Sequence, residues 1–140
     1  MAFLSAIVLE IPTARRPDWV VARKAVYVGS LGDRFEIPAG FLTDLASVPR
    51  IAWPLLPPFG AYVAAAILHD YLYRFAPSVA AGRWPERRLF RWEADGIFRR
   101  AMREDGVSWP VRRAMFYGVR CGGGCAWRRY RKAERCSPTC

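Results

Sequence analysis

An α+β fold is predicted by three observations, each local to a different part of the chain. The first forty residues hold short runs of β-branched and aromatic residues separated by Pro and Gly turn signals. From residue 61 onward, apolar residues recur near the helical period. Between the two lies a stretch rich in Pro and Trp that follows neither pattern. The expectation is a small N-terminal antiparallel β-meander, then three helices with the first two antiparallel, then a basic tail. At 140 residues and 53% hydrophobic, the chain is expected to be one domain with a real core. Its expected parts are β-rich 1–37, loop 38–60, helical 61–120 and tail 121–140.

Residues 3–11 read as a first strand, and Pro12 and Pro17 bracket a loop. Trp19 to Val28, β-branched and aromatic, reads as a second strand. Gly29-Ser-Leu-Gly32-Asp33 is a turn by its residue types, and Arg34-Phe-Glu-Ile37 alternates as a short third strand. Pro38 and Gly40 end it. In the loop that follows, Thr43, Asp44 and Ser47 can satisfy local backbone donors. The prolines of Trp53-Pro-Leu-Leu-Pro-Pro-Phe59 preset a loop that serves as a lid over the core or as one wall of an apolar cleft.

The first helix is expected over Ala61–Arg74, with alanines that allow close approach of a neighbour. A loop over Phe75–Pro85 leads to a second helix over Glu86–Arg103, opened by Pro85 and stopped by Gly106. Ser108 and Pro110 suit the first turn of a third helix, over Val111 to about Arg120. Gly122-Gly-Gly124 then favours a break, with resumption of the helix at Cys125 left open.

The net charge of +10, with 22 basic and 12 acidic residues, suits phosphate-bearing or acidic partners. From Val111 to Arg135 eight basic residues face one acid, a local charge of +7. That segment is either a solvated tail or a docking surface. Direct nucleic-acid binding rests on this charge alone. Anionic lipid at a host envelope is an equivalent partner on the same ground. No apolar run nears the ~20 residues that span a bilayer, and the first ten residues lack the basic start and cleavage site of a signal peptide. Cys121, Cys125, Cys136 and Cys140 are all in the last twenty residues. Their C-x3-C spacing departs from the C-x2-C of zinc knuckles, so an incidental or disulfide-capable set is favoured over zinc.

His69 is the only histidine, on an apolar helix and beside Asp70. Neighbours on a helix diverge by about 100°, so these two do not pair but can act side by side, as a base and a metal ligand. Tyr73 lies on the His69 face at i+4. Asp95, next to the apolar stripe of the second helix, is the candidate to orient the imidazole, and Asp44 is a third acid able to enter the same cleft. A purely structural His69–Asp95 tie between two helices explains the same residues.

The stretch Gly40-Phe-Leu-Thr-Asp-Leu-Ala-Ser-Val-Pro-Arg50, then Trp53-Pro, then Ala64-Ala-Ala-Ile-Leu-His-Asp-Tyr-Leu-Tyr73 resembles an uncharacterised domain family. That family is common in tailed phages, prophages and phage-derived gene clusters. The resemblance covers about residues 35 to 120. It implies a phage-related origin, partners among other phage structural proteins, and residence in the bacterial cytoplasm during assembly and then in a virion or tail. More locally, His69-Asp70-x-x-Tyr73 followed by Asp95 resembles the active-site helix pair of phospholipase A2. This likeness implies His69 as the base that activates water, Asp70 as a calcium ligand, and Tyr73 and Asp95 as the groups that orient the imidazole. The phospholipase's glycine-rich calcium loop and inter-helix disulfides are missing. Only the loop 40–47, with Asp44 as an added ligand, could replace the former. The function expected is hydrolysis of an ester or similar bond by general-base attack of water, with calcium as the candidate assisting ion. The competing expectation is a non-catalytic virion component with a buried polar lock.

Overall fold

The computed structural model describes residues 7–11, 13, 18–44, 60–79 and 87–136. Strand β1 is Leu9–Glu10, β2 is Trp19–Val21, β3 is Ala25–Val28, β4 is Arg34–Ile37 and β5 is Leu42–Thr43. Helix α1 is Tyr62–Phe75. Strands β6 (Ser78–Val79) and β7 (Arg87–Arg88) separate it from α2 (Arg91–Glu104), and α3 is Trp109–Cys136. The architecture is the α+β arrangement predicted, with antiparallel strands first and three helices after. Residues 3–6 of the strand expected over 3–11, Ser47, the Trp53–Phe59 segment, Pro85 and Cys140 lie outside the described residues.

The segment Trp19–Val28, read as one strand, is two. Trp19–Val21 joins a sheet of order β1-β2-β5, whereas among the described residues Ala25–Val28 pairs only with β4. The division follows from competing partners. Val21 donates to Phe41 O at 2.9 Å and Ala22 to Val8 O at 2.8 Å, after which the chain leaves that sheet. The β3–β4 hairpin turns through Gly32 at φ 84°, a left-handed conformation that glycine adopts without strain. Its alternation buries Tyr27, Phe35 and Ile37 and exposes Arg34 and Glu36. Within 38–60, read as loop, Leu42–Thr43 pairs with β2 and so fixes where Thr43 and Asp44 lie.

The hairpin is tied to α2 by polar contacts. Tyr27 donates to Glu104 Oε2 at 3.3 Å, Ser30 N–H donates to Glu104 Oε1 at 3.1 Å, and Arg100 pairs with Asp33. Burial above all pushes the Tyr27 phenol up to about 12, so it remains a neutral donor.

Helix α1 is buried on nearly every side, as suits a helix wrapped by other elements. Contacts between α1 and α2 run in opposite order along the two helices. Tyr73 meets Asp95, and His69 also meets Phe98 further along α2, which makes the pair antiparallel. α1 ends at Ala76, held left-handed at φ 37° with its N–H on Leu72 O.

The second helix was expected from Glu86 but starts at Arg91. Arg87 and Arg88 pair as a strand with Val79 and Ser78. Phe90 is extended, and its N–H donates to Glu93 Oε2 at 2.8 Å, which supplies the N-terminal cap. Gly106 at φ 80° ends the helix as expected, with Val107 N–H on Met102 O at 2.9 Å.

The third helix was expected to break after Arg120 and instead runs unbroken to Cys136. The reason is close packing. A Cβ at Gly123 would lie 2.5 Å from the Tyr73 hydroxyl, and one at Gly124 would lie 2.6 Å from the Arg91 guanidinium. These glycines let α3 sit against α1 and α2, which offsets a propensity cost of about 1 kcal/mol each. Beyond them, Trp127 packs edge-on against Tyr73 at 5.2 Å. Arg131 donates to Tyr73 O at 2.8 Å and Arg74 O at 2.6 Å, capping α1. No helix among the described residues is long and apolar enough to cross a membrane.

Candidate functional site

The sequence places His69 and Tyr73 one turn apart on α1 and Asp95 on the facing stripe of α2. The structure brings the three together. His69 Nε2 is 2.9 Å from Asp95 Oδ1, and the Tyr73 hydroxyl donates to the same oxygen at 2.6 Å. The other oxygen, Oδ2, accepts from Arg120 Nη1 of α3 at 3.0 Å, with Arg91 Nε 3.7 Å away. Asp95 is 1% exposed and His69 2%. The imidazole lies between the rings of Tyr73, 4.1 Å away, and Phe98, 4.7 Å away.

Burial alone would raise the Asp95 pKa. The hydrogen bonds from His69, Tyr73 and Arg120 outweigh it and hold the carboxyl below its ordinary range. Burial, then the bond to Asp95, push the Tyr73 phenol far up, so it stays protonated. An ionised Asp95 accepts a hydrogen from Nε2, which leaves the lone pair of a neutral imidazole on Nδ1. The ring is thus fixed in orientation and tautomer by an anionic partner, an arrangement able to act as a general base.

Asp70 faces away from Asp95 and toward β5, as the angle between neighbouring helical residues requires. Thr43, fully buried, donates its hydroxyl to Asp70 Oδ2. His69, Asp70, Tyr73 and Asp44 line a cavity of about 310 Å³, whose opposite wall is α3. That volume is at the lower end for small-molecule sites, roughly 300–1,000 Å³. All five residues singled out in the sequence therefore belong to one region: Asp95 beneath the imidazole, the other four on the cavity surface.

Asp44 and Asp70 are hard oxygen donors of the kind calcium takes, and they share this cavity. Among the described residues, no group of three or more His, Cys, Asp or Glu is placed to hold a metal ion. Cys121, Cys125 and Cys136 are exposed along α3.

Sequence reasoning missed Thr43 as a partner of Asp70, Arg120 as a partner of Asp95, and the α3 wall. The glycine triplet was the available signal. Such a triplet favours a break by propensity, whereas glycines on a helix can equally mark close approach.

Comparison with known proteins adds one finding. Residues 19–119 match the family described as "Protein of unknown function (DUF1353)". No curated protein and no solved structure matches the chain. The matched segment includes Asp44, His69, Asp70, Tyr73 and Asp95, and it ends within α3, one residue before Arg120. The match spans well over half of the chain, and the chain belongs to the DUF1353 family.

Proposed function

We propose that this chain is a phage- or prophage-derived hydrolase in which His69 activates water against an ester or similar bond. The observation that carries the reading is the buried 2.9 Å His69–Asp95 pair whose imidazole also lines a cavity beside Asp70. Nδ1 takes a proton from water as its oxygen attacks the carbonyl carbon. Asp95 remains ionised and stabilises the imidazolium, and Nδ1 returns the proton to the leaving oxygen as the tetrahedral intermediate collapses. Tyr73 and Arg120 hold Asp95 in place. Calcium suits the donor set on the α1 side, where Asp70 and Asp44 would hold it and backbone carbonyls or water would complete its oxygens. When bound it would supply positive charge for the oxyanion. The site of action in this reading is the host envelope, with other phage structural proteins as partners in a virion or tail.

One observation favours a second reading. Asp95 draws donors from α1 and α3 onto α2, as a lock of the core would. In that case the chain is a non-catalytic tail or virion component, and basic α3 docks onto a larger assembly.

Calcium titration by calorimetry on wild type and Asp70→Asn, with hydrolysis of phospholipid vesicles by the same samples and by His69→Gln, separates the two. The hydrolase reading expects binding and turnover lost together in Asp70→Asn, and turnover lost in a folded His69→Gln. No turnover by the wild type, with or without calcium, sinks it.

A further inference from the structure

The cavity beside His69 has two chemically different walls. The α1 and β5 side carries Asp70 and Asp44. The α3 side carries Gly122, Ala126 and Arg129, at i, i+4 and i+7, hence on one helix face. This part of α3 lies beyond the segment matched to the family.

Gly122 differs from the two glycines that follow it. Cβ atoms at Gly123 and Gly124 would collide with Tyr73 and Arg91, whereas one at Gly122 would meet nothing within 4 Å among the described residues. Packing among the described residues does not demand a glycine there. Its effect is to leave open space along the cavity wall. Arg129 then closes one end of that wall, its guanidinium 5.5 Å from the Tyr130 ring centre. Arg91 and Arg120 also sit close to the site, but both are paired with Asp95. Arg129 has no acid partner among the described residues.

We propose that the α3 wall is the substrate slot and that Arg129 is its anion anchor, so that the substrate bears a phosphate-type oxyanion. The guanidinium fork matches such a group. The slim segment next to the anion lies along Gly122 and Ala126. With no cation bound, Asp44 and Asp70 disfavour the anion at the opposite wall, and the uncharged, cleavable part then faces His69. That last placement rests on the hydrolase reading; the binding slot does not.

The test uses the full chain as wild type, Arg129→Gln and Gly122→Leu. Arg129 is exposed and Gly122 faces open space, so retained melting temperatures are expected for both variants. Calorimetry measures binding of hexyl phosphate, of hexanol as its uncharged counterpart, and of phosphatidylglycerol vesicles. The expected result is hexyl phosphate bound in preference to hexanol, and affinity reduced about tenfold or more in Arg129→Gln, as loss of charge-assisted hydrogen bonds implies. Gly122→Leu should block the slot. Vesicle binding that falls in parallel identifies the anion as a lipid headgroup. Vesicle binding that does not change identifies it as a soluble phosphate ester. Equal binding of hexyl phosphate by wild type and Arg129→Gln, or no preference over hexanol, overturns the proposal. The anion-dependent binding pattern without turnover keeps the slot and removes the hydrolase. Vesicle hydrolysis that is indifferent to Arg129 does the reverse.

Discussion

His69 Nε2 and Asp95 Oδ1 lie 2.9 Å apart, on two antiparallel helices, with both side chains out of water. The carboxylate is ionised in this setting only because donors surround it: His69 and Tyr73 on Oδ1, Arg120 on Oδ2. An isolated buried carboxylate would instead take up a proton. In the hydrolase reading the pair therefore joins the fold and the chemistry in one contact. Substituting either residue should affect both.

Asp95→Asn keeps the shape and removes the charge. Arg120 and Arg91 are then left beside a neutral amide. Stability should fall by about 3 kcal/mol, toward the lower end of what breaking a buried ion pair costs, because Asn still accepts hydrogen bonds. If the chain is the hydrolase proposed above, hydrolysis should fall at least about 100-fold, the lower bound for loss of an oriented general base. Urea unfolding and vesicle hydrolysis on the same preparation check both. A stability loss in a variant that hydrolyses as well as the wild type would assign the pair to the core alone.

Gly123 and Tyr73 should be strongly coupled. A methyl at Gly123 meets the Tyr73 hydroxyl at 2.5 Å, so Gly123→Ala must move the phenol off Asp95. Gly122→Ala, one position earlier, meets nothing among the described residues and should gain about 0.5–1 kcal/mol from helix propensity. Gly123→Ala should lose stability despite the same propensity gain. In a Tyr73→Phe background the loss should shrink without vanishing, since ring carbons also lie within 3.0–3.1 Å of the new methyl. A double-mutant cycle should return a coupling of about 1 kcal/mol or more. Additive effects would contradict the packing described for α3.

Arg131 should anchor the last third of α3. It donates to two carbonyls at the end of α1 and stacks over Trp127 at 4.9 Å. The first turn of α1 has no acidic residue, and among the described residues no side-chain hydrogen bond caps Ala61, whereas the C-terminal end is held by Arg131. Arg131→Ala should cost about 2 kcal/mol, the range for charged hydrogen bonds, and Arg131→Lys somewhat less. Amide hydrogen exchange along residues 125–136 should accelerate in Arg131→Ala, and exchange unchanged there would mean that this stretch is held by other contacts.

What was legible in the sequence followed period and punctuation. The alternation of Arg34–Ile37 marks its strand to the residue, and Gly106 marks the end of α2. The His69, Tyr73 and Asp95 arrangement was legible too, because i+4 spacing on one helix and an acid beside an apolar stripe leave little geometric choice. Three features were not. The division of Trp19–Val28 depends on Phe41, a partner twenty residues distant. The start of α2 depends on Arg87 and Glu93 pairing across its first turn, which overrides a proline signal. The length of α3 depends on tertiary contacts that only glycine allows, so a local propensity for breaking gave way to packing. In each case the deciding contact is between segments, where a one-dimensional pattern carries no information.

Asp105 makes a prediction about pH that is opposite in sign to that of Asp95. It follows the last residue of α2, and its Oδ2 is buried with no hydrogen-bond partner among the described residues. Burial, reinforced by the neighbouring Glu104 charge, raises its pKa to about 6 from an ordinary 3.8. Between those two values the folded chain binds more protons at this site than the unfolded chain. Its contribution to stability is therefore fully present below about pH 4 and is lost as pH rises through 6. Asp95, held low, contributes in the other direction: its stabilisation is present above the unfolded carboxyl range and is lost in stronger acid. Asp105→Asn should consequently raise stability by about 1 kcal/mol at pH 7, allowing for partial solvent screening, and give no gain near pH 4. Thermal melts of both proteins from pH 4 to 8 measure the difference directly, so that the other titrating carboxylates cancel. A gain that is constant across this range would mean that Asp105 is ionised throughout, and that its burial does not set the balance.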